Sequence, residues 1–204
     1  MSRITRIVVL VTALMSLFAV MSSAAGAVTW DNSGSMSFTA TGGPGTLSVG
    51  AVTLPCGSSD ATGTAVTSST TTDVATGTAT FTNCLLGGAS ATVHCNYTLT
   101  ALSQHHVTAP FVITGLADAH CVALVFGAPA CTITGSTAAT YTNPVGMTPG
   151  KLTLVHSSTL RVHNPPGGGT CLLGNNVAAT LTSQTFTVTG GDGTGVGPFF
   201  TTTP

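Results

Sequence analysis

Six cysteines and six histidines are the residues whose chemistry could go beyond packing. The cysteines are Cys56, Cys84, Cys95, Cys121, Cys131 and Cys171. None stands in a Cys-x-x-Cys or Cys-x-x-His pair, the spacing used by structural zinc sites and dithiol redox couples, so both chemistries are argued against. An even cysteine count behind an export signal reads instead as three disulfides, among fifteen possible pairings. Two of the six share a setting. Cys84-Leu85-Leu86-Gly87 and Cys171-Leu172-Leu173-Gly174 repeat one tetrapeptide, each between strand-like segments. Two related corners, each pinned to a cysteine that precedes it, favour Cys56–Cys84, Cys95–Cys121 and Cys131–Cys171. The alternative staples Cys121 to Cys131 across a hairpin and leaves Cys95 with Cys171.

The histidines are His94, His105, His106, His120, His156 and His163. If Cys95 and Cys121 oppose each other on antiparallel strands, Asn96 faces His120 and Thr98 faces Asp118, with His94 diagonal to His120 at ~7–8 Å. One face would then carry His94, Asn96, Thr98, Asp118 and His120, a set able to hold a metal ion or a small polar ligand. The competing reading, a solvated outer sheet face, outweighs it. No metal ligand, cofactor or catalytic residue is therefore assigned. Enzyme signatures are missing as well. The five aspartates are scattered and glutamate is absent. There is no Gly-x-Ser-x-Gly elbow, no His-Glu-x-x-His and no phosphate-cradling glycine loop before a helix. The Asn96-Tyr97-Thr98 sequon lies mid-strand and is discounted, and the Gly-Asp turns around Asp60 and Asp192 lack the carboxylates of a calcium loop.

These residues need elements to position them. Residues 1–27 read as a signal peptide: Arg3 and Arg6, the apolar run Ile7 to Met21, and the small-x-small end Ala25-Gly26-Ala27. The run falls short of the ~20 residues that span a bilayer, so no membrane span is expected after cleavage. Residues 28–204 form one domain. Its two basic residues, Lys151 and Arg161, stand against five aspartates, a net charge of −3. Two cations cannot neutralise a run of phosphates or build a polybasic patch, which argues against nucleic acid and anionic lipid as partners. So few charges also leave little repulsion against self-association or packing into a cell envelope.

Thr and Val dominate with scattered Gly, a composition that favours pleated strands over helices. Ala91, Val93, Cys95, Tyr97, Leu99 and Ala101 alternate with polar residues, the period-two mark of a strand with one buried face. Ten strands are expected: 35–40, 46–54, 62–67, 75–82, 91–101, 107–114, 120–126, 130–141, a hairpin over 151–164, and 177–189. The alternation changes phase near Gly50 and at Ser183-Gln184, which suggests bulges or bends. Segment 65–76 is weakly patterned and reads as a mobile hairpin tip, and the Gly-rich tail from about 190 reads as flexible, framing a last edge strand or fraying. Short strands with regular turns indicate an antiparallel β-sandwich or flattened barrel, stapled by disulfides.

The order Phe81-Thr82-Asn83-Cys84, Cys131 to Pro144, Leu152 to Val162, then Gly167 to Gly174 resembles small exported all-β proteins of unknown function common in actinobacteria, over residues 75–190. That resemblance implies fold and export and carries no activity. The Thr-Ala-Gly-Val composition is also similar to that of the neocarzinostatin-type chromophore carriers, a β-sandwich group. Three functions follow as expectations: a secreted or cell-surface structural or binding module without catalysis, a carrier of a small apolar ligand, and a hydrolase with an unadvertised site. A carrier would show an apolar pocket of several hundred Å³. A module would show an apolar patch or an open edge, with Ser35 to Ala40 as a candidate donor strand. A membrane barrel would need aromatic girdles, and the chain has one Trp and two Tyr.

Overall fold

The computed structural model describes residues 29–69, 72–105, 111–155, 157–191, 195 and 197–203. The expected signal peptide, His106, His156 and Asp192 lie outside them. The strands are β1 (Thr29–Asn32), β2 (Ser37–Gly42), β3 (Gly45–Val49), β4 (Val52–Cys56), β5 (Ser58–Ala65), β6 (Ser68–Ser69), β7 (Asp73–Leu86) and β8 (Ala89–His105). They continue as β9 (Val112–Val125), β10 (Ala128–Thr142), β11 (Gly150–Leu154), β12 (Ser157–His163), β13 (Val177–Leu181), β14 (Gln184–Gly190) and β15 (Phe200–Thr203). All pairing is antiparallel, and no described residue is helical.

Eight strands close on themselves in the order β2-β5-β7-β8-β9-β10-β11-β14 and back to β2, and four more, β12, β13, β3 and β4, extend from β10. The register shows what the four are. Ser37 faces Thr64 and Gly42 faces Ser59 between β2 and β5; Gly45 faces Cys56 and Val49 faces Val52 between β3 and β4. Each pair of partner numbers has the same sum, so β2–β3 and β4–β5 are two long staves, each interrupted once. The same constancy joins β13–β14 to β2–β3, through Thr180 opposite Ser48 and Phe186 opposite Gly42. β11 and β12 both lie along β10, Leu154 opposite Ala139 and Arg161 opposite Thr134. The molecule is thus an up-and-down meander of eight staves, four of them bent at one level.

The bend has a sequence cause. Phe38 and Ala40 are buried below it, Leu47 and Val49 above it, so the inward parity flips across Gly43-Pro44. On the neighbouring stave Ala61 and Ser59 give way to Cys56 and Leu54 across Gly57. Proline has no N–H for a ladder and glycine tolerates the kink.

Several expectations change here. The sheet closes through β10–β11 instead of splitting into the two faces of a sandwich, because closure removes edges that a nearly uncharged chain cannot guard. The 151–164 hairpin is a bent stave. The phase change at Gly50 is a two-residue hairpin tip, with Gly50 at φ 58°. From Val112 onward the separate strands expected at 107–114 and 120–126 form the single β9, and residues 107–110 lie outside the described ones. Ser37 to Ala40 belong to a stave paired on both sides and offer no spare donor strand. Of the two readings of the tail, the edge strand holds over Phe200–Thr203, where β15 pairs with β1; β1 in turn pairs with β6, inside the weakly patterned 65–76 segment. This three-stranded flap covers one end of the barrel. Asn143 clamps it, its Nδ2 donating to Phe200 O at 2.7 Å and its Oδ1 accepting from Phe200 N at 3.1 Å.

Inside, the staves present apolar residues, with alanines interspersed among Leu, Val, Ile and Phe. Outside, Thr189, Thr39, Thr62, Thr78, Asn96 and His120 succeed one another across adjacent strands. Apolar inside and hydroxyl outside is the reverse of a lipid-facing barrel. No helix among the described residues is long and apolar enough to cross a membrane.

Candidate functional site

Three disulfides join Cys56 to Cys84, Cys95 to Cys121 and Cys131 to Cys171. Such a set fits an oxidising compartment. Cys56 and Cys84 continue the register of β5 on β7, where the ladder stops at Ser58 opposite Thr82 and Gly57 N donates to Thr82 O at 3.0 Å. Their bond closes the upper barrel where the ladder does not. The two Cys-Leu-Leu-Gly corners meet: a Cβ on Gly87 would touch Leu172 Cδ1 at 3.5 Å. Leu86 and Leu173 are buried, while Leu85 and Leu172 are 50% and 70% exposed.

Cys95 lies directly opposite Cys121, and so Asn96 faces His120 and Thr98 faces Asp118. His94 sits across from Val122, one diagonal from His120, and its Nδ1 is 3.2 Å from Thr80 Oγ1. Of the five residues grouped from the sequence, Asn96, Thr98, Asp118 and His120 line a shallow outer depression together with Tyr97, Ala119 and Gly135, and His94 lies outside it. His94, Asn96, Asp118 and His120 are exposed to solvent. Among the described residues no group of three or more His, Cys, Asp or Glu is placed to hold a metal ion. His163 continues this outer face: its Nε2 is 3.2 Å from Oγ1 of Thr134, which stands directly opposite His120.

The more distinctive feature is inside. A cavity of about 120 Å³ occupies the barrel, walled by residues from every stave. Alanines at 40, 61, 79, 117 and 119 leave the room, and Leu47, Leu54, Leu152, Leu160, Phe81 and Phe186 shape it. It is smaller than the several hundred Å³ expected of a carrier, and an eight-stranded barrel has an interior of this scale, filled by side chains or by one small ligand. For comparison, an engineered cavity of ~150 Å³ lined by Leu, Ile and Phe in another protein takes up benzene.

Tyr97 forms one end of the wall. Gly63 and Gly77 are directly opposed on β5 and β7, and Tyr97 follows on β8. A Cβ on Gly77 would lie 2.5 Å from Tyr97 Oη, so the ring needs that glycine. Its hydroxyl crosses the gap to donate to Thr62 O at 3.2 Å. Burial pushes the Tyr97 phenol up to about 12. Burial also raises Tyr141, whose hydroxyl donates to Pro198 O at 2.7 Å beneath the flap.

One polar side chain in the wall escaped sequence reasoning. Gln184 is 3% exposed, and its Nε2 donates to Ser59 Oγ at 2.7 Å and to Gly43 O at 2.9 Å. It thereby ties three staves at the bend. Its Oε1 is buried with no hydrogen-bond partner among the described residues. The signal was available: Gln184 shares its parity with Phe186 and Val188, so it had to point inward.

The site is that of a closed, disulfide-tied β-barrel with an apolar interior. No protein-family model matches the chain, nor does any curated protein or solved structure.

Proposed function

We propose that the protein is an exported, non-catalytic barrel that holds one small apolar molecule in its interior, the alternative among the sequence-based functions rather than the first. The carrying observation is the cavity of about 120 Å³ walled by alanines, in a chain whose β-branched residues could have filled it. Burying an apolar ligand there gains ~25 cal/mol for each Å² removed from water. Export is supported by the basic-apolar-small order of residues 1–27 and by three disulfides, and fits the exported all-β proteins that residues 75–190 resemble. Calorimetric titration of the unreduced protein with toluene tests the reading. One saturable site is expected; no heat at any soluble toluene concentration overturns it.

A second reading, a surface module that associates through an apolar tip, rests on Phe126. That residue is 87% exposed and holds φ 51° in the two-residue turn between β9 and β10. A left-handed backbone costs a non-glycine residue ~1–2 kcal/mol, a cost that an exposed contact residue would explain. Sedimentation of wild type and Phe126→Asn separates the readings: association that the substitution abolishes supports the module, and a wild-type monomer at all concentrations removes it as a self-associating one.

A further inference from the structure

We infer that Phe38 sets the size of the interior ligand: with Tyr97 it closes the cavity on the flap side and limits the guest to one ring with at most a short side chain. The inference rests on the apolar-ligand reading and deepens it. A second void, of about 40 Å³, lies beyond the first, beneath Pro198 and Phe200 of the flap. Phe38, Leu99 and Leu152 line both voids, so they form the partition, and Phe38 is the largest of the three. The register explains how a ring from one stave reaches so far. Gly190, Phe38, Gly63, Gly77 and Tyr97 stand opposite one another in turn on β14, β2, β5, β7 and β8. Phe38 and Tyr97 therefore approach from two sides over a pair of glycines. A Cβ on Gly63 would collide with Phe38 Cζ and lie 2.8 Å from Tyr97 Oη, so the two ring tips come together above that glycine. The bond from Tyr97 to Thr62 O holds one ring, and burial holds Phe38. A void of about 40 Å³ takes no ring by itself, against the ~150 Å³ that admits benzene in another protein. A guest longer than the main cavity must therefore displace Phe38.

Toluene and n-butylbenzene are matched probes, since they share a ring and differ only in chain length. Both are titrated into the unreduced full chain and into Phe38→Ala, which joins the two voids. The wild type is expected to bind n-butylbenzene about tenfold more weakly than toluene, the cost of forcing carbons into filled space. In Phe38→Ala the order should reverse by about tenfold, because each methylene that enters apolar space strengthens binding roughly fourfold. A ratio of the two affinities that Phe38→Ala leaves unchanged overturns the inference while the apolar-ligand reading stands. Failure of both probes to bind the wild type overturns the two together. Truncating a packed ring could unfold Phe38→Ala, so the wild type supplies a second readout. Affinity along toluene, ethylbenzene, n-propylbenzene and n-butylbenzene should stop rising where the chain meets Phe38. The methyls of Val188, which line only the smaller void, should stay in place. A steady rise through the whole series, or displacement of Val188, refutes the partition.

Discussion

Ala79→Val asks whether the interior void is real. Ala79 sits mid-stave on β7, opposite Ala61 on one side and Cys95 on the other, with its methyl in the cavity wall. Valine adds two carbons. If they enter empty space, each buried methylene contributes ~0.8 kcal/mol, about 1.6 kcal/mol in all. Fixing the side chain takes back about 0.5 kcal/mol. Strand geometry suits a β-branched residue, so no backbone cost is added. The net expectation is a gain of about 1 kcal/mol. Urea unfolding followed by far-UV circular dichroism measures it, with the m-value unchanged. Fluorescence of Trp30, the one tryptophan, reports the flap separately. Forcing the same carbons into a filled core would instead cost ~1–3 kcal/mol. The sign decides, and a loss of that size refutes a cavity at Ala79. A gain should be accompanied by weaker toluene binding, since the same volume is consumed.

Replacing Cys56 and Cys84 together by alanine should cost about 3.5 kcal/mol, from loop-closure entropy over their separation of 28 residues, and should raise amide exchange first in β3 and β4; a loss below about 1 kcal/mol would mean that the upper barrel is closed by other contacts. Phe126→Asn should stabilise the fold by about 1 kcal/mol in urea, because Asn-Gly suits a turn with two positive φ angles, and destabilisation would show that the Phe126 ring is packed. Both tyrosine phenols are raised in the folded state, so their protonated forms are favoured there. The stability they contribute is complete below the unfolded value near pH 10 and is lost as pH rises through the folded value, about 12 for Tyr97. Tyrosinate absorbance should accordingly appear only as the protein unfolds, and a full transition at pH 10 in the native protein would refute the burial of both rings.

Much of the barrel could be read from residue order. Alternation from Ala91 to Ala101 defined β8, and the two Cys-Leu-Leu-Gly corners led to the disulfide pairing and, through Cys95 and Cys121, to the facing of Asn96 with His120. What eluded local patterns was sheet closure. A stave that bends changes parity at Gly43-Pro44, at Gly57 and at Thr182-Ser183, and a parity change reads the same for a bulge, a hairpin tip or a bend. Gly50 was a tip and Ser183 a bend, and only their partners across the sheet distinguish them. The cavity was invisible for a related reason. Each alanine in the wall is an unremarked small residue on its own strand, and the void exists only where several face one another. Phe126 hid in the same way, because its left-handed backbone follows from the pairing of Val125 with Ala128.

The most direct measurement is methyl-resolved NMR of the unreduced protein during a toluene titration. Methyl resonances of Leu47, Leu54, Leu152 and Leu160, which wall the cavity from three staves, should shift together with one dissociation constant. Leu102, 60% exposed, should not move. Shifts confined to exposed methyls, or none at all while the protein remains folded, would contradict an interior ligand site.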